Sequence, residues 1–158
     1  SVNNKISLAE EIELLKNYIQ LEMVRFENKF TFSIEIAPGV DSDSIIIPSL
    51  LIQPYVENAI LHGLYNKRTP GELSIRIREV EDVLTFTIED NGIGREAAQR
   101  LRMENLRTHN SMGINITEER LKLINLGQQA AFEVEDLKDE NGPCGTRVKI
   151  MILLNAVK

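Results

Sequence analysis

The chain contains 158 residues, a length suited to one domain with a substantial core. Hydrophobic residues make up 42% and charged residues 27% of the sequence, and a formal net charge of −6 excludes the basic footprint of a nucleic-acid-binding protein. The one cysteine, Cys144, excludes an internal disulfide and is compatible with a reducing cytoplasm, and no apolar run approaches the roughly 18 residues of a membrane-spanning helix.

The sequence begins with a pattern typical of one long amphipathic helix, predicted over residues 8–28. Apolar residues recur at steps of three, four or their sum: Leu8, Ile12, Leu15, Ile19, Phe26 and Phe30. Ser7 and Glu10 form a capping-box pattern at its start. Two interpretations are open: a helix packed on its own domain, or the end of a dimerisation helix that needs a partner stripe outside this chain.

A second helix is predicted over residues 49–65, with Pro54 near its start or at a kink. Glu57, Asn58 and His62 interrupt its apolar positions. Because Asn58 and His62 are four residues apart, they share one helix face. An Asn oxygen on a helix that faces phosphates is a suitable ligand for Mg²⁺, which prefers hard oxygen donors. A polar surface stripe on an amphipathic helix is the alternative.

The next informative feature is the end of a predicted strand, where residues 84–88 alternate between apolar and β-favouring polar types. Asp90, Gly92 and Gly94 follow it, and residues 95–101 then have helical propensity. A carboxylate at this point can accept a hydrogen bond from a ligand amine, and glycines let the backbone approach a flat ring closely. An ordinary turn is the alternative, because Asn-Gly favours hairpins.

Small residues precede another predicted helix, which covers residues 114–126. Ser111 and Gly113 precede its first apolar positions, so its N-terminus would offer unpaired N–H groups and the positive end of a helix dipole to an anion. Ordinary N-capping by Asn110 or Ser111 is the alternative.

The last predicted strand, over residues 146–153, follows a turn that contains Gly145 and Thr146, which plain turn chemistry also explains. The other predicted strands cover residues 31–37, 73–80, 83–89 and 132–137, and a further helix covers 95–104. Four helices and about five strands, several joined as hairpins, predict an α+β fold. The helices of this two-layer sandwich would pack on one face of a mixed, mostly antiparallel sheet.

In this order, the four polar segments resemble the motifs of the GHKL (Bergerat-fold) ATPases, which include sensor histidine kinases and gyrase-type topoisomerases. The resemblance implies a role for each residue. Asn58 matches the Mg²⁺-binding Asn of the family's N-box. Asp90 matches the aspartate that binds the adenine amino group, and Gly92 and Gly94 complete the first glycine box.

The resemblance extends to the second half of the chain. Ser111 and Gly113 match the second glycine box, next to the triphosphate. Gly145 and Thr146 match the late Gly-Thr pair that helps to seat adenine. Residues 95–110 then fall where the family has its mobile ATP lid.

Two stretches indicate one branch of the family. Residues 53–63 look like the N-box of LytS-type sensor histidine kinases, and residues 8–26 look like the stretch that precedes it there. Gyrase-like members carry a general-base Glu four residues before the Mg²⁺-binding Asn, where this chain has Pro54. Glu57 is the nearest carboxylate to Asn58. It either polarises the imidazole that accepts the phosphoryl group or is a solvated helix charge.

The chain departs from the family at two points. Several histidine kinase branches place a Lys three residues after the Mg²⁺-binding Asn, and this chain has Leu61 there. His62, Arg102 or Arg107 could make that phosphate contact instead. The family's phosphoacceptor lies in a His-Phe-x-x-Asn type motif, which neither His62 nor His109 matches. We therefore expect a catalytic domain whose acceptor histidine lies outside this chain.

The resemblance implies two parts: residues 1–30 as the C-terminal part of a dimerisation or linker helix, and residues 31–158 as an ATP-binding catalytic domain. The expected enzyme is a protein histidine kinase that uses ATP and Mg²⁺. Its expected partners are an upstream phosphoacceptor domain, a response regulator and a second copy in the full-length kinase. No nucleic acid and no membrane contact by this chain are expected. The expected location is the cytoplasm, with an inner-membrane anchor elsewhere in the parent protein as an option.

Three other functions fit the same sequence. A degenerate domain could bind nucleotide, or nothing, and signal by docking. A serine kinase of the anti-sigma type shares the fold and acts on a protein serine. In a purely structural domain, all four motifs would be turns and helix caps.

Overall fold

The computed structural model of the chain describes residues 5–105 and 129–154, so the predicted helix over residues 114–126 lies outside the described part. The helices are α1 (Leu8–Arg25), α2 (Gln53–Asn58) with a π-helical continuation (Ala59–Leu64), and α3 (Arg95–Asn105). The strands are β1 (Lys5–Ser7), β2 (Phe30–Ile36), β3 (Ile46–Pro48), β4 (Gly71–Val80), β5 (Val83–Asp90), β6 (Ala130–Asp139) and β7 (Gly142–Leu153).

Five strands form one sheet in the order β2-β4-β5-β7-β6. β2 and β4 are parallel, and the other three pairings are antiparallel, so the predicted mixed, mostly antiparallel sheet is confirmed. The antiparallel pairs β4–β5 and β6–β7 are each joined by a short turn, as strands close in sequence allow. β1 and β3 form a separate two-stranded sheet that the sequence did not predict.

Strict alternation of side chains gives the large sheet one apolar face and one polar face. The apolar face carries buried side chains such as Ile75, Phe86 and Ile150, and the helices cover it. The same buried cluster includes α1 residues, so the core lies between the helical layer and the sheet. The two-layer α+β prediction is confirmed. Among the described residues, no helix is long and apolar enough to cross a membrane.

Helix α1 starts where the capping pattern predicts, because the Ser7 side-chain oxygen accepts a hydrogen bond of 3.1 Å from the Glu10 backbone N–H. It ends at Arg25, three residues earlier than predicted. Glu27 and Asn28 adopt positive φ angles of 54° and 58°, which lie in the left-handed region and end the helix. Its buried side chains are Leu8, Glu11, Ile12, Leu15, Ile19 and Glu22.

The helix predicted over residues 49–65 begins only at Gln53, with Pro54 in its first turn. Leu50 has a φ of 58°, so the helix cannot extend back through it. After Asn58 the hydrogen bonding changes from the α to the π pattern, and Tyr65 N–H donates to the Ile60 carbonyl at 2.8 Å, five residues back. Such π segments occur often at functional sites.

Candidate functional site

A cavity of ≈ 670 Å³ lies between the α2–π segment, the ends of β5 and β7, and helix α3. Residues selected from the sequence for three different motifs meet in its wall. The selected residues that line it are Asn58, His62, Asp90, Gly94 and Thr146. Asp90 and Thr146 lie directly opposite each other on β5 and β7, so the sheet register brings these two motifs together.

Asp90 is the most buried polar residue of this cavity, with 4% of its surface exposed. Its Oδ1 accepts a hydrogen bond of 2.9 Å from the Gly92 N–H, and the Thr146 backbone N–H also donates to it. Burial raises the pKa of Asp90 to about 6, with a smaller upward contribution from Glu89, while the two backbone hydrogen bonds lower it. A buried carboxylate with spare acceptor capacity can recognise a ligand N–H donor.

Glycines around Asp90 are required by close backbone approach. A Cβ on Gly63 would lie 2.7 Å from Asp90 Oδ1, and a Cβ on Gly92 would overlap the Gly63 carbonyl. A Cβ on Gly145 would overlap the Asp90 carbonyl oxygen, and its φ is +139°. Gly92 therefore acts beneath the cavity, through its N–H and its packing, and does not line it. Gly63 also lines the cavity but was not selected as a site residue from the sequence.

The turn after β5 is held by hydrogen bonds from outside the motif. Lys67 Nζ donates to the Asn91 carbonyl oxygen at 2.7 Å, and Asn91 Oδ1 accepts from the Glu72 N–H at 2.7 Å. The Ile93 N–H donates to the Gly63 carbonyl at 3.1 Å, which links the turn to the π-helical segment. These contacts fix the backbone that carries Asp90.

The other end of the cavity carries Asn58, His62 and Arg102. Burial lowers the pKa of the half-buried His62 below its ordinary 6.5, and the positive charge of Arg102 lowers it further. Among residues 5–105 and 129–154, no group of three or more His, Cys, Asp or Glu side chains could hold a metal ion. The Asn58 amide oxygen fits Mg²⁺ only where phosphates and water supply the remaining ligands, which is a usual arrangement for that ion.

One ion pair closes a wall of the cavity and was not predicted from the sequence. Arg95, the first residue of α3, donates from Nε and from one terminal nitrogen to the two carboxylate oxygens of Asp136 on β6, both at 2.7 Å. This two-bond geometry raises the pKa of Arg95 and lowers that of Asp136. The two residues are 41 positions apart in sequence, so no local pattern indicates the contact.

Glu57 does not line the cavity. Its Oε1 accepts a hydrogen bond of 3.1 Å from Gln53 Nε2, one helical turn earlier. Its charge acts on Tyr18 of α1, whose pKa is raised by burial and then by Glu22 and Glu57. A role for Glu57 toward a phosphoryl acceptor therefore stays a prediction.

The second glycine box falls in the undescribed part of the chain. Ser111 and Gly113 lie outside the described residues, as do His109 and Arg107. Their expected places near the triphosphate stay predictions.

Comparison with known proteins places these residues in a family context. No protein-family model matches the chain. The sensor histidine kinase YpdA of Escherichia coli is 33% identical over 123 residues, which is 77% of this chain and 21% of that protein. The sensor protein LytS of Enterococcus faecalis is 26% identical over 141 residues, which is 87% of this chain and 24% of that protein. The chain thus spans about a quarter or less of the length of these two relatives.

A solved structure shows the same fold. The catalytic domain of histidine kinase ThkA superposes with a TM-score of 0.61 at 14% identity, covering 95% of both chains. ThkA has also been solved in complex with the response regulator protein TrrA. By sequence and by fold, the chain belongs to the LytS-type sensor histidine kinases and corresponds to their GHKL (Bergerat-fold) catalytic domain.

Proposed function

We propose that this domain binds ATP with Mg²⁺ in the cavity around Asp90 and transfers the γ-phosphoryl group to a histidine outside the chain. The observation that carries the proposal is the buried Asp90 carboxylate, held by two backbone N–H groups in a cavity of ≈ 670 Å³ that also contains Asn58 and His62. The cavity is large enough for a nucleotide and is polar at both ends.

The Asp90 end suits adenine. Its carboxylate accepts a hydrogen bond from the exocyclic amine, whereas guanine would present a carbonyl oxygen there and the two acceptors would repel each other. The close packing of Gly63 and Gly92 leaves no side chain beside Asp90 on that side, so a flat ring can approach. Thr146, opposite Asp90 in the sheet, borders the same end.

The Asn58 end suits the triphosphate. Asn58 would hold Mg²⁺ through its amide oxygen, and the ion supplies charge neutralisation between the phosphates when it is bound. The neutral His62 imidazole and the Arg102 guanidinium line the same part of the cavity and can donate hydrogen bonds to phosphate oxygens. Arg102 therefore replaces the Lys that related branches place after the Asn.

In the reaction, the bond between the γ-phosphorus and the bridging oxygen breaks, ADP leaves, and a P–N bond forms to the acceptor imidazole. Catalysis of this type consists mainly of positioning and charge stabilisation. His62 is unsuited to be the acceptor because it is half-buried in the wall of the nucleotide cavity. We therefore assign the acceptor to a histidine of the parent protein and the onward phosphoryl transfer to a response regulator. A second copy of the kinase completes the assembly that we propose.

Nucleotide binding is tested by calorimetric titration of the chain with a non-hydrolysable ATP analogue, with and without Mg²⁺. We expect Mg²⁺ to strengthen binding, and Asp90→Asn to weaken it by about 2–3 kcal/mol because an amide donor then faces the adenine amine. Asp43→Asn removes an exposed carboxylate in the same chemical way and serves as the matched control. Full-strength ATP binding by Asp90→Asn contradicts the proposed position of adenine.

Phosphoryl transfer is tested separately by adding an acceptor fragment of the parent kinase and radiolabelled ATP. We expect an acid-labile, alkali-stable phosphate on the fragment, which identifies phosphohistidine. An acid-stable phosphate would instead identify a serine kinase. Nucleotide binding without any transfer would identify a degenerate module.

A further inference from the structure

The sheet has a second cavity, of ≈ 620 Å³, on the face opposite the helices. We call this the open face. The cavity lies where β2 ends, beside β4, β5 and β7. Its charged side chains are four cations, Arg76, Arg78, Arg147 and Lys149, and one carboxylate, that of Glu35. This is a local excess of positive charge on a chain whose net charge is −6. Such an excess predicts an anionic ligand.

The strand register places the basic side chains around one point. Arg76 on β4 lies opposite Thr87 on β5, and Thr87 lies opposite Lys149 on β7. Adjacent strands are about 4.8 Å apart, so the backbones at Arg76 and Lys149 are about 10 Å apart. Two long side chains can span that gap and meet on one small ligand above Thr87. Arg78 follows Arg76 by two positions and therefore points to the same face.

One of the four cations is already neutralised within the sheet. Arg147 donates to Glu89 at 2.6 Å and to Glu135 at 2.7 Å. Arg76 approaches the same Glu89 only at 3.7 Å, so it shares a carboxylate that Arg147 holds more closely. Arg76 therefore keeps part of its capacity to bind an anion.

The remaining two cations are unpaired in the described part of the chain. Arg78 and Lys149 form no ion pair within 4.0 Å of any described carboxylate. Glu35 lies opposite Arg76 and Glu133 opposite Lys149, but both carboxylates are exposed and neither is paired with them. Arg78 on β4 and Lys149 on β7 carry like charges on either side of β5, so an anion between them would be stabilising.

Thr87 supplies the second observation. It is only 5% exposed, yet it lines this cavity, at the register position between Arg76 and Lys149. We propose that the open-face cavity is a binding site for the phosphate group of a small molecule, held by Arg76, Arg78 and Lys149 with a hydrogen bond from Thr87. Guanidinium groups match tetrahedral phosphate oxygens with paired N–H donors, and an ammonium adds a point charge.

This site is separate from the nucleotide cavity. The nucleotide cavity is lined from the sheet by Ile88, Asp90, Thr146 and Val148. Thr87 lines the open-face cavity. Because successive side chains of a strand point to opposite faces of the sheet, Thr87 and Ile88 lie on different faces. The two cavities thus lie on opposite faces, and both can be occupied at once. The inference does not depend on the proposed kinase activity.

The test uses inorganic pyrophosphate as the probe, at constant ionic strength, with backbone amide NMR shifts as the readout. We expect saturable shifts centred on Arg76, Thr87 and Lys149. The double variant Arg78→Gln with Lys149→Gln should bind pyrophosphate about tenfold more weakly, because each substitution removes a charge-assisted hydrogen bond. Arg100→Gln, which changes an exposed arginine paired with Glu96 on α3, is the matched control and should bind as the unaltered chain does.

Three results would overturn the proposal: no saturable shift at millimolar pyrophosphate, shifts confined to residues of the nucleotide cavity, or equal binding by the double variant and the unaltered chain. Because the substituted side chains lie on the solvent-facing side of the sheet, we expect the double variant to fold. Its amide spectrum without ligand checks this directly. Shifts confined to the nucleotide cavity would leave the proposed function intact, so the two hypotheses fail separately.

Discussion

At neutral pH the ionised Asp90 carboxylate should lower the stability of the protein without nucleotide, although the same carboxylate binds adenine in the proposed function. The carboxylate is 4% exposed, and burial raises its pKa to about 6 from an ordinary value of 3.8. A buried group with a raised pKa holds its proton in the folded state at pH values where the unfolded chain is ionised. Its contribution to stability is therefore fully present below pH 3.8 and is lost as the pH rises through 6.

The magnitude follows from the two pKa values. At pH 5 the Asp90 carboxyl group is protonated in about ten of every eleven folded molecules, whereas in the unfolded chain it is roughly nine-tenths ionised. At pH 8 both states are ionised. Proton linkage therefore stabilises the folded protein at pH 5 by about 1–2 kcal/mol relative to pH 8. Asp90→Asn has no such proton, so its free energy of unfolding relative to that of the unaltered chain should rise by about 1–2 kcal/mol from pH 5 to pH 8.

Urea denaturation of both proteins at pH 5, 6, 7 and 8 measures this difference. Other titrating groups contribute equally to the two proteins and cancel, which is why the difference is informative. Asp43→Asn controls for removal of one negative charge. A difference between Asp90→Asn and the unaltered chain that stays flat across this range would show that the carboxylate is not desolvated, and the assignment of the cavity to adenine would lose its physical basis.

Other substitutions test the neighbouring contacts. Gly63→Ala places a methyl group against the Asp90 carboxylate and should weaken ATP binding by about tenfold in calorimetry, since one of the two must move. Arg95→Gln and Asp136→Asn should each lower the free energy of unfolding by about 0.5–1 kcal/mol. The double variant Arg95→Asp with Asp136→Arg exchanges the two charges, and in a double-mutant cycle with its two single variants it should regain part of the lost stability. NMR titration of His62 should show a midpoint below 6.5 that rises when ATP binds, because phosphate oxygens favour the imidazolium.

The strands could be predicted from the sequence because their signal is local. Period-two alternation located all five strands of the main sheet, although the observed strands extend up to four residues beyond the predicted limits. The strands β1 and β3 have three residues each, too few to show any period. The π-helical segment also escaped prediction, because a shift of backbone hydrogen bonds by one residue leaves the apolar spacing of residues 53–64 almost unchanged.

Part of the candidate site could be predicted, because the order of the motifs along the chain indicated its residues. Asn58, His62, Asp90, Gly94 and Thr146 all line one cavity, while their roles toward a nucleotide stay predictions. Contacts set by long-range register were not predictable in the same way. The Arg95–Asp136 pair and the cations of the open face depend on which residues lie opposite each other across β4, β5, β7 and β6, and a single sequence does not show that register.

The pairing of β5 with β7 has a consequence for how this domain can diverge. Asp90 and Thr146 are neighbours because β5 and β7 pair in this register. A shift of the pairing by one residue would move Thr146 away from Asp90 and would turn the buried side chains of one strand to the open face, so the apolar core holds the pair in place. Substitutions on the open face of these two strands leave the register unchanged. Descendants of this sequence could therefore vary that surface while Asp90 and Thr146 stay together.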